Sequence, residues 1–283
     1  KRTAYEQKIG GTTDWAVMGG PSGGKYQLTA ARINIDGEMR PTRNATGTLI
    51  APTEDGIRNF WRWFGNSVML DYKGYPLVLY HGTARDFQKF NPKQAGAIFV
   101  TPNQKFAREF AENESEGWMI EHFDQLLSKE EIEDAKREAL REMDRLTKKE
   151  YRLDQSSSPY EFMEIYEWQQ AVRDRLPSRA NILPLYVKLE NPFDFENKQQ
   201  VDKVIDELFG NKDIFRFSEA TPNVVDKKYD KAGIRSLLSQ GDWGTIEHPD
   251  LIKVFNKLGF DGFSIKERYA KKNYGVFDPN GVK

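Results

Sequence analysis

Short apolar runs broken by Gly, Pro and polar residues divide the chain into four textures. Residues 1 to about 50 alternate apolar and polar positions, as in Tyr26-Gln27-Leu28-Thr29-Ala30 and Ile33-Asn34-Ile35, beside the turn-rich stretch GGPSGG. That pattern predicts short strands and turns. Thr53, two acids and then IRNFWRWFG predict a helix capped at Thr53 and stopped at Gly65. Next, Tyr75-Pro76-Leu77-Val78-Leu79-Tyr80 reads as a strand that ends at His81-Gly82-Thr83. Ala97–Thr101, rich in β-branched and aromatic residues, reads as a second strand. A helix follows, with Thr101 as N-cap, Pro102 in the first position, and Phe106 and Phe110 four apart on one face.

From 112 to about 180 the pattern changes. Ser128–Gln155 is helical and densely charged, with a narrow apolar stripe of Leu140, Met143 and Leu146. Ser156–Pro159 breaks it, and Tyr160–Leu176 resumes a helix with a wider apolar face. This predicts a helical hairpin inserted into a core domain; it reads equally as a solvated arm. The last section returns to strand logic, with Ile182–Asn197 as a strand and Pro turn. Helices are expected near Val201–Phe209, Lys231–Gln240 and Pro249–Leu258. Phe260–Ile265 and Tyr274–Pro279 would be closing strands joined by the polar loop Lys266–Asn273. The expected class is α+β. The expected division is a β-rich extension over 1–52 and a domain over 53–283, interrupted by the helical insertion at about 112–180.

Composition narrows the chemistry. The 283 residues are 38% hydrophobic and 30% charged, enough for one large domain. Lys plus Arg number 42 against 43 acids, a net charge of −1, so overall charge points to no polyanionic partner. The lack of cysteine excludes disulfides, thiol nucleophiles and thiolate-bound zinc. With three histidines, His81, His122 and His248, no histidine-rich metal site is expected. No apolar run approaches the ~20 residues a membrane-spanning helix needs, and no secretory signal opens the chain. It starts at Lys1, as a piece of a longer polypeptide would.

The candidate chemistry gathers around His81. A histidine at a strand end is often only a hydrogen-bonded structural residue. Here Gly82 would let a ligand approach the main chain, whose N–H and C=O suit a flat amide. Thr83 adds a hydroxyl. Phe99 and Phe110 could clamp a planar, cationic heterocycle between their rings, or could be ordinary core residues.

Three segments, LYHGTARDF, AIFVTPNQKFAREF and NYGVFDPNGVK, resemble the signature segments of ADP-ribosyltransferases. The branch is the diphtheria-toxin and poly(ADP-ribose)-polymerase one, with its His-Tyr-Glu triad. The chain is similar in particular to such domains in phage and mobile-element polyvalent proteins. There a WFG(N/D)S helix, a G-x-P-L-V-x-Y-H-G-T strand and a terminal V-F-D-P-N recur. The resemblance covers about 56–111 and 181–283. It implies split mixed and antiparallel sheets around an NAD cleft. The implied activity is transfer of ADP-ribose from NAD to a macromolecular acceptor, protein rather than nucleic acid, with release of nicotinamide. A phage-borne effector acting in the host cytoplasm is the corresponding setting, without membrane or metal.

Residue by residue, the resemblance implies that His81 bonds a ribose hydroxyl and Gly82 grips the carboxamide, with Thr83 beside it. Phe99 stands at the motif tyrosine, and Phe110 stacks on nicotinamide. Thr101 and Asn103 match small polar residues after the second motif, and Asn273 stands where the family has its catalytic glutamate. The tyrosine-to-Phe99 departure loses a hydroxyl. The Asn273 departure loses a charge that would stabilise an oxocarbenium-like transition state, a loss of ~10²–10³ in rate. The acid could then come from Glu267 or Asp278, or the domain binds NAD without turnover. The basic stretch Lys266, Arg268, Lys271 and Lys272 would face the acceptor or be a solvated hairpin tip.

Overall fold

A computed structural model describes residues 17–18, 25–26, 30–84, 89–92, 94–121, 123–149, 169–171, 174–175, 179–218, 228–267 and 270–283. The GGPSGG stretch, His122, Arg268 and most of the helix expected over 160–176 lie outside them. In chain order the elements are β1 (Val17–Met18), β2 (Lys25–Tyr26), β3 (Arg32–Ile35), β4 (Glu38–Pro41), α1 (Glu54–Phe64), β5 (Leu79–Thr83) and β6 (Ile98–Val100). Then come α2 (Gln104–Glu121), α3 (Phe123–Leu126), α4 (Lys129–Lys149), β7 (Asn181–Leu185), β8 (Pro192–Phe193), α5 (Lys198–Phe209), β9 (Ile214–Arg216) and β10 (Lys228–Asp230). The chain closes with α6 (Lys231–Gln240), α7 (Trp243–Ile246), α8 (Pro249–Lys257), β11 (Gly262–Glu267) and β12 (Ala270–Val276). The class is α+β, helices with small sheets. Two compact units divide the chain: Lys1–His81 with Gln88–Gln104 and Leu183–Lys283, and Gly82–Phe87 with Lys105–Ile182.

The first unit is built on a four-stranded sheet in the order β6-β12-β11-β8. Its first three strands are antiparallel, and β8 joins β11 in parallel. Both faces are covered. Ile98, Val100 and Val276 enter one apolar cluster with Ile57, Trp61, Phe64, Leu79, Val187 and Leu189. Phe263 and Ile265 enter the other, which α5, α6 and α8 fill with Val204, Ile205, Ile234, Leu238, Leu251 and Phe255. Each fully buried aliphatic or aromatic side chain contributes about 1.5–3 kcal/mol of transfer free energy.

Helix α1 forms as the pattern predicts. The Thr53 hydroxyl accepts the Gly56 N–H at 3.0 Å, and Ile57, Trp61 and Phe64 are buried at a helical spacing. Gly65 ends it at φ 57°, its N–H donating to the Trp61 carbonyl. Ile33, Ile35 and Ile50 pack in the same cluster as α1, and the Trp61 indole N–H donates to the Pro41 carbonyl at 2.9 Å. β3 and β4 are joined by Asp36-Gly37, both with positive φ, the two-residue turn whose twist matches a hairpin.

Three expectations need correction. The strand expected over Tyr75–Tyr80 and ending at His81-Gly82-Thr83 instead runs Leu79–Thr83, as the partner of β7 in a two-stranded sheet, and Tyr80 also exchanges both main-chain hydrogen bonds with Thr101 at 2.8 and 3.0 Å. α2 starts at Gln104, which puts Asn103 rather than Thr101 at the cap position; the Thr101 hydroxyl accepts the Asn103 N–H at 3.1 Å. Most of the expected loop Lys266–Asn273 is strand, since β11 and β12 pair from Gly262↔Val276 out to Glu267↔Ala270. The sequence reading also passed over β9, β10 and α7.

In the second unit α2 and α4 carry the charged sequence. Ser128 and Glu131 form a capping box ahead of α4: Ser128 N–H donates to the Glu131 carboxylate at 2.8 Å, and Glu131 N–H to the Ser128 hydroxyl at 3.2 Å. Ala135, Ala139 and Ala171 are buried together, and Arg175 bonds Glu138 at 2.7 Å. Alanines rather than the expected leucine stripe make this contact, and Leu140 is 52% exposed. The side chains of Met143 and Leu146 lie outside the described residues.

Candidate functional site

In the first unit, β5 sets His81 beside β6. His81 Nδ1 lies 2.8 Å from the Phe99 carbonyl oxygen. A carbonyl only accepts, so Nδ1 carries the hydrogen and donates it. The Phe90 ring meets the imidazole edge-on at 5.2 Å. The histidine is thus held in one orientation. Of the other histidines, His248 is fully buried, caps α8 by accepting the Asp250 N–H at 3.2 Å, and packs 4.3 Å from Phe217; it is structural.

Phe99 pairs with Gly275 across the β6–β12 ladder. Its ring packs edge-on against Phe263 at 5.9 Å. A Cβ on Gly275 would lie 2.3 Å from the Phe263 ring, so the glycine makes room for this aromatic packing. Two residues along β12, Asn273 is 2% exposed. Its Nδ2 donates to the Glu267 carboxylate on β11. Its Oδ1 is buried without a hydrogen-bond partner, a cost of about 1–3 kcal/mol for an amide oxygen. The β11–β12 register shifts between Ile265 and Glu267, and such a bulge re-aims the side chain that follows it.

A second acid stands nearby. Burial pushes the Glu247 carboxyl up to about 7, an effect that the hydrogen bond from Gln94 Nε2 at 2.5 Å opposes and the Glu267 charge reinforces. Burial likewise raises Glu267, against the Asn273 hydrogen bond. Among the described residues neither carboxylate forms an ion pair. Lys272, by contrast, is committed to Asp194 and Glu196, both at 2.8 Å, so it belongs to the sheet rather than to a solvated basic tip.

Thr101 is buried in the first unit, and Gly82, Thr83 and Phe110 belong to the second. A Cβ on Gly82 would lie 1.9 Å from the Ala107 carbonyl oxygen and 3.2 Å from Ala111 N, so α2 crosses directly over the glycine. Its bareness serves a main-chain crossing as well as any ligand. Thr83 is buried, and the neighbouring Ala84 N–H donates to Glu114 at 2.8 Å. Phe110 is 53% exposed on α2. Sequence reasoning therefore found His81 and Phe99, which the structure brings together through main chain, and Asn273, which it ties to Glu267. It passed over Glu247, whose signal, a lone acid before His248, is indistinguishable from surface charge.

No curated protein and no solved structure matches the chain. One family model does, over residues 71–175. The match takes in β5, β6 and α2, continues through the charged helices that the motif resemblance left aside, and ends before 181–283. Over residues 71–175 the chain is similar to the family described as ADP-Ribosyltransferase in polyvalent proteins, the family that its His81 strand and following motif resemble.

Proposed function

We propose that the chain is an NAD-dependent mono-ADP-ribosyltransferase that transfers ADP-ribose to a macromolecular acceptor, a protein, and releases nicotinamide. The observation that carries this reading is the family match across the strand that bears His81. The fixed imidazole supports it: His81 Nδ1 donates to the Phe99 carbonyl, which holds the ring in one orientation at the strand end. In this reading β5, β6 and β12 border the NAD cleft of a domain over 53–283, with the charged helices as its insertion. The motif resemblance assigns Gly82 and Thr83 to the carboxamide end, Phe99 and Phe110 to the nicotinamide ring, and Thr101 to the approach to α2. A polyvalent-protein family suits a mobile-element effector working in a host cytoplasm.

The reaction needs little covalent chemistry from the protein. The bond from ribose C1′ to the nicotinamide nitrogen breaks with its electron pair on the nitrogen, and the acceptor oxygen or nitrogen bonds C1′ and gives up its proton. Positioning and electrostatics supply the acceleration. Incubation with labelled NAD and host lysate should release nicotinamide and label a macromolecule, and His81→Ala should abolish both. A second reading, NAD binding without turnover, draws on Asn273, whose amide carries no charge. It predicts thermal stabilisation by NAD with no nicotinamide released.

A further inference from the structure

We propose that Glu267 is the catalytic carboxylate of this site and that Asn273 is the residue that positions it. The inference rests on the transferase reading and names the group that would stabilise its transition state.

Cleavage of the C1′–nicotinamide bond leaves positive charge on the ribose, so the site needs a preorganised anion there. Asn273 cannot be that anion, but it holds one: its Nδ2–H is given to the Glu267 carboxylate. The regular β11–β12 ladder is interrupted by a register shift between Ile265 and Glu267, beside the step where Glu267 meets Asn273.

Two further features point to a ligand. The first is charge. Glu267 and Glu247 are only partly exposed and close enough for the charge of one to raise the other, and among the described residues neither has an ion-pair partner. Paired carboxylates removed from water are costly unless a cation joins them. A substrate carrying positive charge on a pyridinium and then on a ribosyl carbon supplies that cation. The second is the Asn273 side chain itself. It is 2% exposed, and its carbonyl oxygen lacks a donor. An apolar residue of equal size would avoid this penalty. An amide here makes sense if one end orients Glu267 and the other receives a donor such as a sugar hydroxyl. The ligand class that meets both demands is a ribosyl group bearing a cationic leaving heterocycle.

Glu267 takes part without gaining or losing atoms. The C1′–N bond breaks, its electron pair leaves with nicotinamide, and the oxygen of water or acceptor bonds C1′ and releases its proton to solvent. The carboxylate lowers the energy of the cation between the two events. Gln94 donates to Glu247, whereas the hydrogen bond from Asn273 goes to Glu267, which makes Glu267 the positioned carboxylate and Glu247 its neighbour.

The test compares the parent, Glu267→Gln, Asn273→Glu and the double variant Glu267→Gln/Asn273→Glu. Nicotinamide release from NAD in water is measured beside the NAD-induced shift in melting temperature. The amide oxygen introduced by Glu267→Gln can still accept from Asn273, so the strand pair should persist. The expected result is a fall in kcat of about 100-fold or more for Glu267→Gln, with the NAD-induced shift and KM nearly unchanged. The double variant, which moves the carboxylate one strand over, should recover at least about tenfold of that loss. A Glu267→Gln enzyme within about threefold of the parent overturns the assignment. So does a parent that binds NAD inertly while Asn273→Glu alone turns it over. If neither parent nor variants respond to NAD by melting or by product, the transferase reading itself fails and takes this assignment with it.

Discussion

Glu247→Gln should stabilise the protein at alkaline pH and leave it almost unchanged in mild acid. The Glu247 carboxyl is raised from its ordinary 4.5 to about 7, first by burial and further by the Glu267 charge, despite the hydrogen bond from Gln94. A raised acid binds its proton more tightly in the folded chain than in the unfolded one. Folding stability from this group is therefore intact below pH 4.5, declines as pH rises, and is fully lost above about 7. One pKa unit is worth about 1.4 kcal/mol, so the displacement amounts to about 3 kcal/mol, which partial solvent exposure reduces to about 2. Glutamine keeps an oxygen for Gln94 and never ionises. Urea unfolding followed by tryptophan fluorescence, at pH 5 and pH 8, gives the difference between variant and parent free of other titrating groups. It should be below about 1 kcal/mol at pH 5 and about 2 kcal/mol in favour of the variant at pH 8. A difference that does not change with pH, or one that favours the parent at pH 8, would refute the burial argument.

Gly82→Ala sets a methyl 1.9 Å from the Ala107 carbonyl oxygen, a main-chain atom that cannot rotate away; thermal unfolding should show a loss of about 1–3 kcal/mol or more. Trp61→Phe leaves the Pro41 carbonyl without its buried indole donor and should cost about 1–3 kcal/mol in urea unfolding. Gly275→Ala drives a Cβ within 2.3 Å of the Phe263 ring and should displace Phe99 with it, read as a change in near-ultraviolet circular dichroism and in nicotinamide release together. His81→Ala should reduce nicotinamide release to background while the melting temperature moves by only a few degrees, since its bond to Phe99 is one contact in a sheet rich in others.

The sequence alone determined whatever local chemistry dictates. Thr53 and Gly65 bracket α1 because a hydroxyl can cap first-turn amides and glycine can take a positive φ. The limits of α6, Lys231–Gln240, were legible for the same reason, and the expected Pro249–Leu258 helix differs from α8 by one residue. His81, Phe99 and Asn273 were legible as a set through their motifs. Tertiary structure decided everything that depends on a partner distant in the chain. β7, about a hundred residues on, pairs with β5 through His81-Gly82-Thr83, and Tyr80 bridges to Thr101 ahead of α2. The glycine in that strand reads as an invitation to a ligand until Ala107 is seen to lie against it. The sequence offered Glu267 or Asp278 in place of the acid lost at Asn273, and only the pairing of β11 with β12 joins Glu267 to the Asn273 amide and brings Glu247 into the range of that charge. Such contacts join residues whose separation along the chain carries no periodic signal. Local propensity could name the groups, but only the folded sheet fixed which of them share a hydrogen bond or a field.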